Sequence, residues 1–214
     1  MIHLSDYESP GIPRTVVSRA LAFVDCETTG FAPSCCDLIE VAVVSDDLPF
    51  QIKLAITPYD EERADNYQAQ LNKYRGPERQ LKDWRLVNGY NRKEWADAVP
   101  AEKAIPLICD QIAGKILVGH NLEFDLSFLR SAMERCGIPP RTVLSPTTID
   151  TIPLAKACLP GMESYSLENV CKRLGIEPEG VHRAMGGAVR AKLVYEALTG
   201  AARRNLDACV QKAA

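Results

Sequence analysis

The sequence predicts an α/β domain with a mixed five-stranded sheet flanked by helices. Two observations indicate this fold class. Three apolar or alternating segments, at 20–31, 38–44 and 51–56, are joined by short connections, as antiparallel strands are. Farther along, short apolar runs alternate with segments of helical periodicity, which is typical of parallel strands connected by helices. One domain of this kind fits a chain of 214 residues, of which 46% are hydrophobic.

The elements are expected in a definite order. The polar stretch 59–65 is expected to be a loop, because Pro58 ends the strand before it. A helix over 100–113 contains Pro106, so the helix is either kinked there or starts later. The later elements are a strand at 115–119, a helix at 122–136, a strand at 147–151 leading into a helix up to 157, and helices at 166–175 and 181–198. Residues 1–19 are expected to form an arm, 20–200 the domain and 201–214 a tail.

Composition limits the classes of function. The formal net charge of −3 indicates no polyanion partner overall, so any affinity for nucleic acid must come from a local patch or a bound metal. No apolar run reaches the length of a membrane span, and the first twenty residues lack a signal-peptide core. The eight cysteines contain no Cys-x-x-Cys pair, which favours buried thiols in a reducing compartment. The expected location is the cytoplasm, with no membrane partner.

Two carboxylates, Asp25 and Glu27, stand at the end of the first predicted strand. Because successive strand residues point to opposite faces, Asp25 and Glu27 share a face and Cys26 points away. Neighbouring carboxylates repel each other, and a hard divalent cation such as Mg²⁺ or Mn²⁺ would neutralise them. The alternative is a pair of solvated acids at a strand end. On these residues alone, both interpretations stay open.

Asp125 is a third candidate ligand. It falls in the first turn of the helix whose apolar stripe begins at Leu122, and it lies one turn before Leu129. It is therefore expected to face the protein, near the carboxyl end of the preceding strand. The simpler interpretation is an acid that stabilises a helix N-terminus, which is a common use of Asp.

The stretch 71–93 combines basic and aromatic side chains. Positive charge suits phosphates and flat rings suit bases, so the stretch is a candidate groove for single-stranded nucleic acid. The alternative is an amphipathic helical region with its aromatic residues in the core, and without context that alternative is favoured. The residues are Lys73, Arg75, Arg79, Lys82, Arg85, Arg92 and Lys93, with Tyr74, Trp84, Tyr90 and, just beyond, Trp95.

Together these segments resemble the DEDDh branch of the DnaQ-like 3′–5′ exonucleases. Residues Phe23–Gly30 resemble the first motif of that family, and Val118–Leu129 resemble the second. Ile149–Thr151 and Tyr165–Asn169 match the segments between motifs. The resemblance spans about 21–198 and implies a ribonuclease H-like fold.

The third motif of the family is His, four residues, then Asp. His182 matches, whereas Gly187 stands where the Asp is expected. Glycine has no side-chain ligand, and no Asp or Glu follows before Glu196. Three explanations are open: a deliberate inactivating change, a natural non-catalytic member, or an enzyme with a substitute ligand. A lost ligand in an otherwise intact site is favoured, because glycine only weakens a helix start.

The resemblance implies phosphodiester hydrolysis by two Mg²⁺ or Mn²⁺ ions. Asp25 would bridge both ions, Glu27 would hold the ion that carries the attacking water, and Asp125 would support the other. His182 would take the proton of that water as general base. These four are the implied catalytic residues, and Gly187 occupies the position of the missing ligand.

The resemblance also implies contacts to the terminal nucleotide. The backbone N–H groups of Thr28, Thr29 and Gly30 would grip that nucleotide, and Phe31 would pack against its base or sugar.

A second set of implied substrate contacts comes from later segments. Asn88 and Tyr90 belong to a stretch that resembles the substrate-lining loop of the family, which favours the groove interpretation of 71–93. His120 and Asn121 either contact backbone phosphate or shape the turn, and shaping is favoured for His120.

The leading functional hypothesis is a metal-dependent 3′–5′ exonuclease that acts on the single-stranded or frayed 3′ end of DNA or RNA. Gly187 would inactivate or weaken it. The alternatives are a catalytically silent nucleic-acid-binding protein and a proofreading subunit of a polymerase. Restoring Asp at position 187 is expected to raise cleavage and to cost little stability.

Overall fold

A computed structural model describes residues 20–46, 48–177 and 183–213, with side chains described up to residue 200. In these ranges five strands form one sheet in the order β3-β2-β1-β4-β5. Strand β1 pairs antiparallel with β2 and parallel with β4, while β2–β3 is antiparallel and β4–β5 parallel. The predicted mixed sheet is confirmed. The strands are β1 Leu21–Thr28, β2 Leu38–Ser45, β3 Leu48–Lys53, β4 Ile116–Gly119 and β5 Thr148–Asp150.

Helices cover both faces of the sheet. On one face α3 and α4 enclose the main apolar core, which contains Val24, Val41 and Phe128. On the other face α7 packs against β1 and β2 through Ala184 and Ala188. The described α-helices are α1 Pro58–Arg75, α2 Trp84–Asn88, α3 Ala101–Ile112, α4 Leu122–Arg135, α5 Thr151–Cys158, α6 Leu167–Leu174 and α7 Ala184–Ala213. Within the described ranges, no helix combines the length and apolar composition that crossing a bilayer requires.

Strands β1 and β2 lie at the centre of the fold. Every residue of β2 is buried, as expected for an apolar run covered on both faces. Strand β3 lies at one edge of the sheet and begins at Leu48, three residues earlier than the predicted 51. The turn before it is tight, since Asp46 has a φ of 50°. Pro49 is tolerated there because an edge strand leaves some N–H positions unpaired.

The predicted loop at 59–65 is wrong, because these residues belong to the 18-residue helix α1. Pro58 occupies its first turn, where the missing N–H costs nothing, and so it starts a helix rather than merely ending a strand. Thr57 and Asp60 form a reciprocal capping box at the N-terminus. The helix has almost no apolar stripe, which is why hydrophobic periodicity did not reveal it.

Two other helices differ from prediction. Helix α3 spans Ala101–Ile112 with Pro106 inside it, so the helix does not start after that proline. Helix α7 runs to Ala213 rather than ending at 198, so the backbone of residues 201–213 is helical. The predicted arm at 1–19 lies outside the described residues.

Candidate active site

Three acidic side chains, which we call the acid cluster, meet at the carboxyl end of the central strands. Asp25 and Glu27 lie near the end of β1, and Asp125 lies in the first turn of α4. Because β1 and β4 are parallel, their carboxyl ends reach the same edge of the sheet, and α4 begins directly after β4. The topology thus brings together the three acids that the sequence predicted as metal ligands.

Crowding and burial perturb the whole acid cluster. Burial, together with the charges of Asp125 and Glu27, raises the pKa of Asp25 well above its usual range. Burial raises the pKa of Asp125 to about 7, although hydrogen bonds from the Cys26 thiol and backbone N–H oppose that increase. The pKa of Glu27 is also raised to about 7, first by burial and then by the charge of Glu40. A cation bound among the three carboxyl groups would offset their mutual repulsion and favour their ionised forms.

Glu40 is an acid of this site that the sequence did not single out. It lies opposite Glu27 in the β1–β2 ladder and is fully buried. Its carboxylate accepts hydrogen bonds from Gln51 Nε2 at 2.7 Å and from the backbone N–H of Ala184 at 3.2 Å. Glu40 therefore anchors the first residue of α7 to the sheet. The available signal was its place as the one charged residue inside an apolar strand.

Gly187 touches the acid cluster through its backbone. Helix α7 packs on β1 so closely that a Cβ atom at position 187 would lie 2.2 Å from Asp25 Oδ2 and 2.3 Å from Asp25 Cγ. No side chain fits there unless the Asp25 carboxylate moves. Asp25 thus occupies the volume into which a side chain at 187 would extend.

The chemistry of the acid cluster suits a divalent metal ion, but its arrangement does not. Carboxylate oxygens are the ligands that Mg²⁺ and Mn²⁺ prefer. Across the described residues, however, no three His, Cys, Asp or Glu side chains are grouped so that they hold an ion. Gly187 adds no ligand, and the Asp25 carboxylate rests against its backbone. With the Asp25 carboxylate in this position, the described acids do not form a two-ion centre. His182, the predicted general base, lies outside the described residues.

A cleft of about 350 Å³ opens beside Glu27. Its floor is the end of β1 with the turn that follows, and its walls come from α1, from the segment around α2 and from Phe124 of α4. Phe31 is 57% exposed and lines the cleft. Five predicted substrate residues therefore lie together here, next to Glu27. They are Thr28, Thr29, Gly30, Phe31 and Asn88, and the other lining residues are Cys26, Tyr67, Gln68, Leu71, Leu81, Lys82, Trp84, Val87 and Phe124.

The turn after β1 is held by its own hydrogen bonds. The N–H of Thr29 donates to the carbonyl of Asp37 at 2.9 Å, so it is not available to grip a nucleotide as the resemblance implied. Thr28 Oγ1 donates to the carbonyl of Gly30 at 2.7 Å. Gly30 is required by close approach, because a Cβ atom there would lie 2.6 Å from Cys36 Sγ.

Asn88 and Tyr90 have different surroundings. Asn88 lies at the end of α2, is buried, and donates from Nδ2 to the carbonyl of Thr28. It thus joins one wall of the cleft to its floor. Tyr90 does not line the cleft. Its ring packs between Trp84 and Trp95, and its hydroxyl donates to Glu61 at 3.0 Å.

Three aromatic rings and two arginines of the predicted basic and aromatic groove have structural roles. Trp84, Tyr90 and Trp95 are buried in one apolar cluster, as the amphipathic alternative predicted. Arg85 pairs with Asp65 at 2.7 Å, and Arg92 pairs with Glu61 at 3.0 Å. Lys82 lines the cleft, whereas Tyr74 is 90% exposed.

His120 and Asn121 shape the turn between β4 and α4. Both ring nitrogens of His120 are used, Nδ1 with Thr151 Oγ1 and Nε2 with the carbonyl of Tyr165, each at 2.8 Å. Burial lowers the pKa of His120, so the ring is held neutral. Asn121 adopts a left-handed backbone conformation with φ of 66°, and its N–H donates to Asp150. Neither side chain lines the cleft.

Comparison with known proteins identifies the family and the fold of the chain. The profile of the RNase_T family, described as exonuclease, matches residues 22–195, which is most of the chain. The chain belongs to this exonuclease family. In solved structures the exonuclease domain is similar to Escherichia coli exonuclease I with a dT13 oligonucleotide, at TM-score 0.68 and 18% identity, covering 88% of this chain and 43% of that one. A zinc-bound complex of the same enzyme with single-stranded DNA also has a TM-score of 0.68, at 18% identity, covering 90% of this chain and 43% of that one. The ribonuclease H-like fold is confirmed.

Two curated relatives are similar to parts of the exonuclease domain. A PolC-type DNA polymerase III of Thermotoga petrophila is 28% identical over 166 residues, which cover 77% of this chain and 11% of that protein. The 3′–5′ exonuclease DinG of Staphylococcus aureus is 34% identical over 105 residues, which cover 49% of this chain and 11% of that protein. The matched part is thus about a tenth of each relative's length.

Proposed function

We propose that this exonuclease domain binds the 3′ end of a nucleic acid in the cleft and hydrolyses its phosphodiesters from that end. Gly187, which stands where the family has a ligand Asp, lowers the rate of this hydrolysis. The observation that carries this proposal is the position of Glu27, which belongs both to the acid cluster and to the lining of the cleft. A terminal nucleotide in the cleft therefore meets the acid cluster directly.

The lining of the cleft supports a nucleotide as ligand. Phe31 offers an exposed ring on which a base or sugar packs, and Phe124 adds an aromatic wall. Lys82 supplies positive charge for a phosphate. The exonuclease I structures similar to this chain hold dT13 and dA16 oligonucleotides, which supports a single-stranded or frayed end as substrate.

The proposal includes a requirement for Mg²⁺ or Mn²⁺ at the acid cluster. The raised pKa values of Asp25, Glu27 and Asp125 support it, because a bound cation would favour their ionised forms. Binding requires the Asp25 carboxylate to leave its contact with Gly187. The role of His182 as general base and the cytoplasmic location, expected from the cysteines, belong to the same proposal.

A second candidate function is a nucleic-acid-binding protein that has lost hydrolysis. The contact between Asp25 and Gly187 favours it, since the described acids do not form a two-ion centre while the cleft is retained. A third candidate, a proofreading component of a polymerase, is supported by the similarity to part of a PolC-type DNA polymerase III.

The test is a cleavage and binding assay with matched DNA and RNA strands labelled at the 5′ end, over a series of Mg²⁺ and Mn²⁺ concentrations. Stepwise shortening from the 3′ end that is lost in Glu27→Gln, but kept in the surface control Arg130→Gln, supports the exonuclease. Retention of the strand without shortening at any metal concentration supports the silent binder. If the strand is neither retained nor shortened, both the exonuclease and the silent binder are overturned. Polymerase co-purification tests the third candidate.

A further inference from the structure

One part of the basic stretch 71–93 is not used by the fold. Arg85 and Arg92 pair with acids of α1, whereas the four basic side chains between 73 and 82 take part in none of the salt bridges among the described residues. All four are exposed, and the 90% exposed ring of Tyr74 lies among them in the sequence. We call these five side chains the α1 patch; they are Lys73, Tyr74, Arg75, Arg79 and Lys82.

The α1 patch is basic in a chain that is acidic overall. Residues 71–82 hold four basic side chains and one acidic side chain, Glu78, so this segment carries a net charge of +3 while the whole chain carries −3. Exposed cations gain free energy when they neutralise phosphates, because the counterions of those phosphates are released. Two of the four lie in the last turn of α1, where positive charge also favours the helix, but the other two lie beyond that helix. Helix stabilisation alone therefore does not account for the patch.

Hydrogen bonds hold the loop of the α1 patch against α1 at the rim of the cleft. Gln68 of α1 donates from Nε2 to the carbonyl of Lys82 at 2.8 Å, and its Oε1 accepts from the N–H of Trp84 at 3.2 Å. Asn72 Oδ1 accepts from the N–H of Leu81 at 2.7 Å. Lys82 lines the cleft and is exposed, so its side chain stands at the rim. The loop after α1 is therefore fixed to the cleft wall.

The helical half of the α1 patch continues that wall outward. Tyr67 and Leu71 line the cleft and are four residues apart, and Tyr74 and Arg75 follow Leu71 by three and four residues. Side chains at these spacings lie on one side of a helix, about 5.4 Å apart along its axis. The side of α1 that forms the cleft wall thus leads, one turn later, to an exposed ring and an exposed guanidinium.

We propose that the α1 patch is a second nucleic-acid site, which binds the nucleotides upstream of the 3′-terminal one. Its cations contact phosphates and the ring of Tyr74 stacks on a base, a combination that suits a single strand whose bases are accessible. Stacking on a base face is tolerant of sequence, so the site selects single-stranded character and length rather than a base. This inference rests on the proposed function, which puts the 3′ end in the cleft.

Binding of 5′-labelled single strands of two to twelve nucleotides, measured by fluorescence anisotropy on the full chain in chelator, tests the proposal. For the parent, affinity is expected to rise with length once a strand extends beyond the cleft. The double variant Lys73→Gln with Arg75→Gln is expected to lose about tenfold in affinity for ten nucleotides. Its slope of log affinity against log salt is expected to fall by about 1.4, which is about 0.7 for each lost phosphate contact.

Two other patch variants give independent checks. Tyr74→Ala is expected to weaken the binding of ten nucleotides about tenfold with an unchanged salt slope, because stacking releases no counterions. Arg79→Gln changes a residue outside α1, so it avoids any effect on that helix, and it is expected to weaken binding about threefold. Binding of the dinucleotide is expected to stay as in the parent for each variant.

The matched control is Lys172→Gln with Arg173→Gln. It also removes two exposed basic side chains from the last turn of a helix, here α6, which does not line the cleft. The control is expected to bind strands of every length as the parent does. An equal loss in the control and in the patch variants would overturn the proposal, because the attraction would then come from the charge of the whole protein.

The remaining outcomes separate this proposal from the proposed function. Patch variants that bind every length as the parent does overturn the α1 patch, and stepwise shortening by those variants would still support the exonuclease. Length-dependent binding that the patch variants lose, without shortening by the parent in Mg²⁺ or Mn²⁺, supports the patch and counts against hydrolysis. Polyglutamate that displaces the labelled strand as well as an unlabelled strand does would assign the patch to acidic proteins and overturn the proposal.

Discussion

Replacing Gly187 with Asp tests how α7 and β1 share space. A Cβ atom at 187 would lie 2.2 Å from Asp25 Oδ2. Non-bonded atoms of this kind rest at roughly 3.5 Å, so the Asp25 carboxylate has to move by about 1 Å or more. The expectation that the swap costs little stability therefore does not hold for this packing.

The magnitude follows from three contributions. Overpacking of a buried contact costs about 1–3 kcal/mol. A further carboxylate beside Asp25 adds like-charge repulsion, while the better helix propensity of Asp returns only a few tenths of a kcal/mol. For a domain of this size we expect the melting temperature in chelator to fall by roughly 2–12 °C. Mn²⁺ at about 100 times its dissociation constant stabilises by about 2.7 kcal/mol, enough to offset most of that loss.

The assay pairs thermal unfolding in chelator and in a Mn²⁺ series with single-turnover cleavage of a labelled strand. Gly187→Asn has nearly the same size without the charge, so it should show a loss in chelator without the recovery in Mn²⁺. Gly187→Asp should raise cleavage by orders of magnitude. Unchanged stability of Gly187→Asp in chelator would refute the packing argument. Equal cleavage rates of Gly187→Asp and the parent would mean that an Asp at position 187 does not act as a metal ligand in this protein.

Three further predictions concern the same site. Because burial raises the pKa of Asp125 and Glu27 to about 7, these two groups bind more protons in the folded state than in the unfolded chain. Their contribution to stability in chelator should be complete below about pH 4 and be lost as pH rises through 7, and Asp125→Asn should flatten the decrease in melting temperature measured between pH 4 and 8.5. Gly30→Ala places a Cβ atom 2.6 Å from Cys36 Sγ and should cost about 1–3 kcal/mol in urea unfolding, a result that full stability would contradict. Phe31→Ala should weaken oligonucleotide binding about tenfold, as measured by fluorescence anisotropy, at nearly unchanged stability. Tyr90→Phe should instead cost about 1 kcal/mol of stability and leave binding unchanged. The reverse pattern would mean that Tyr90 contacts the ligand and Phe31 stabilises the fold.

The elements with a clear hydrophobic period could be predicted from the sequence. Strands β1 and β2 and helix α4 were placed within a few residues, and the acids at 25, 27 and 125 converge as expected. Helix α1 was missed because its residues are mostly polar and show no hydrophobic period. The capping box at Thr57 and Asp60 is the signal in the sequence that indicates this helix. The predicted last helix ended at 198, whereas α7 continues to Ala213.

The site was harder to predict where its residues act through tertiary contacts. Glu40 lies within an apolar strand, and its role becomes visible only when α7 packs against the sheet and the N–H of Ala184 reaches its carboxylate. Tyr90 shares its type and spacing with nucleotide-stacking residues, yet its ring is covered by two tryptophans. Composition alone does not separate a ring that faces a ligand from a ring that faces the core.

The hydrogen bond from Asn88 to Thr28 fixes the width of the cleft before any ligand arrives. The bond is buried and spans 60 positions of the chain, so the α2 wall cannot swing away from β1 without leaving a buried carbonyl unpaired. A ligand therefore enters a cleft whose width at this wall is already set, and binding loses little free energy to ordering it. Differences in affinity between nucleic-acid ends should consequently appear in how slowly each leaves rather than in how fast it enters.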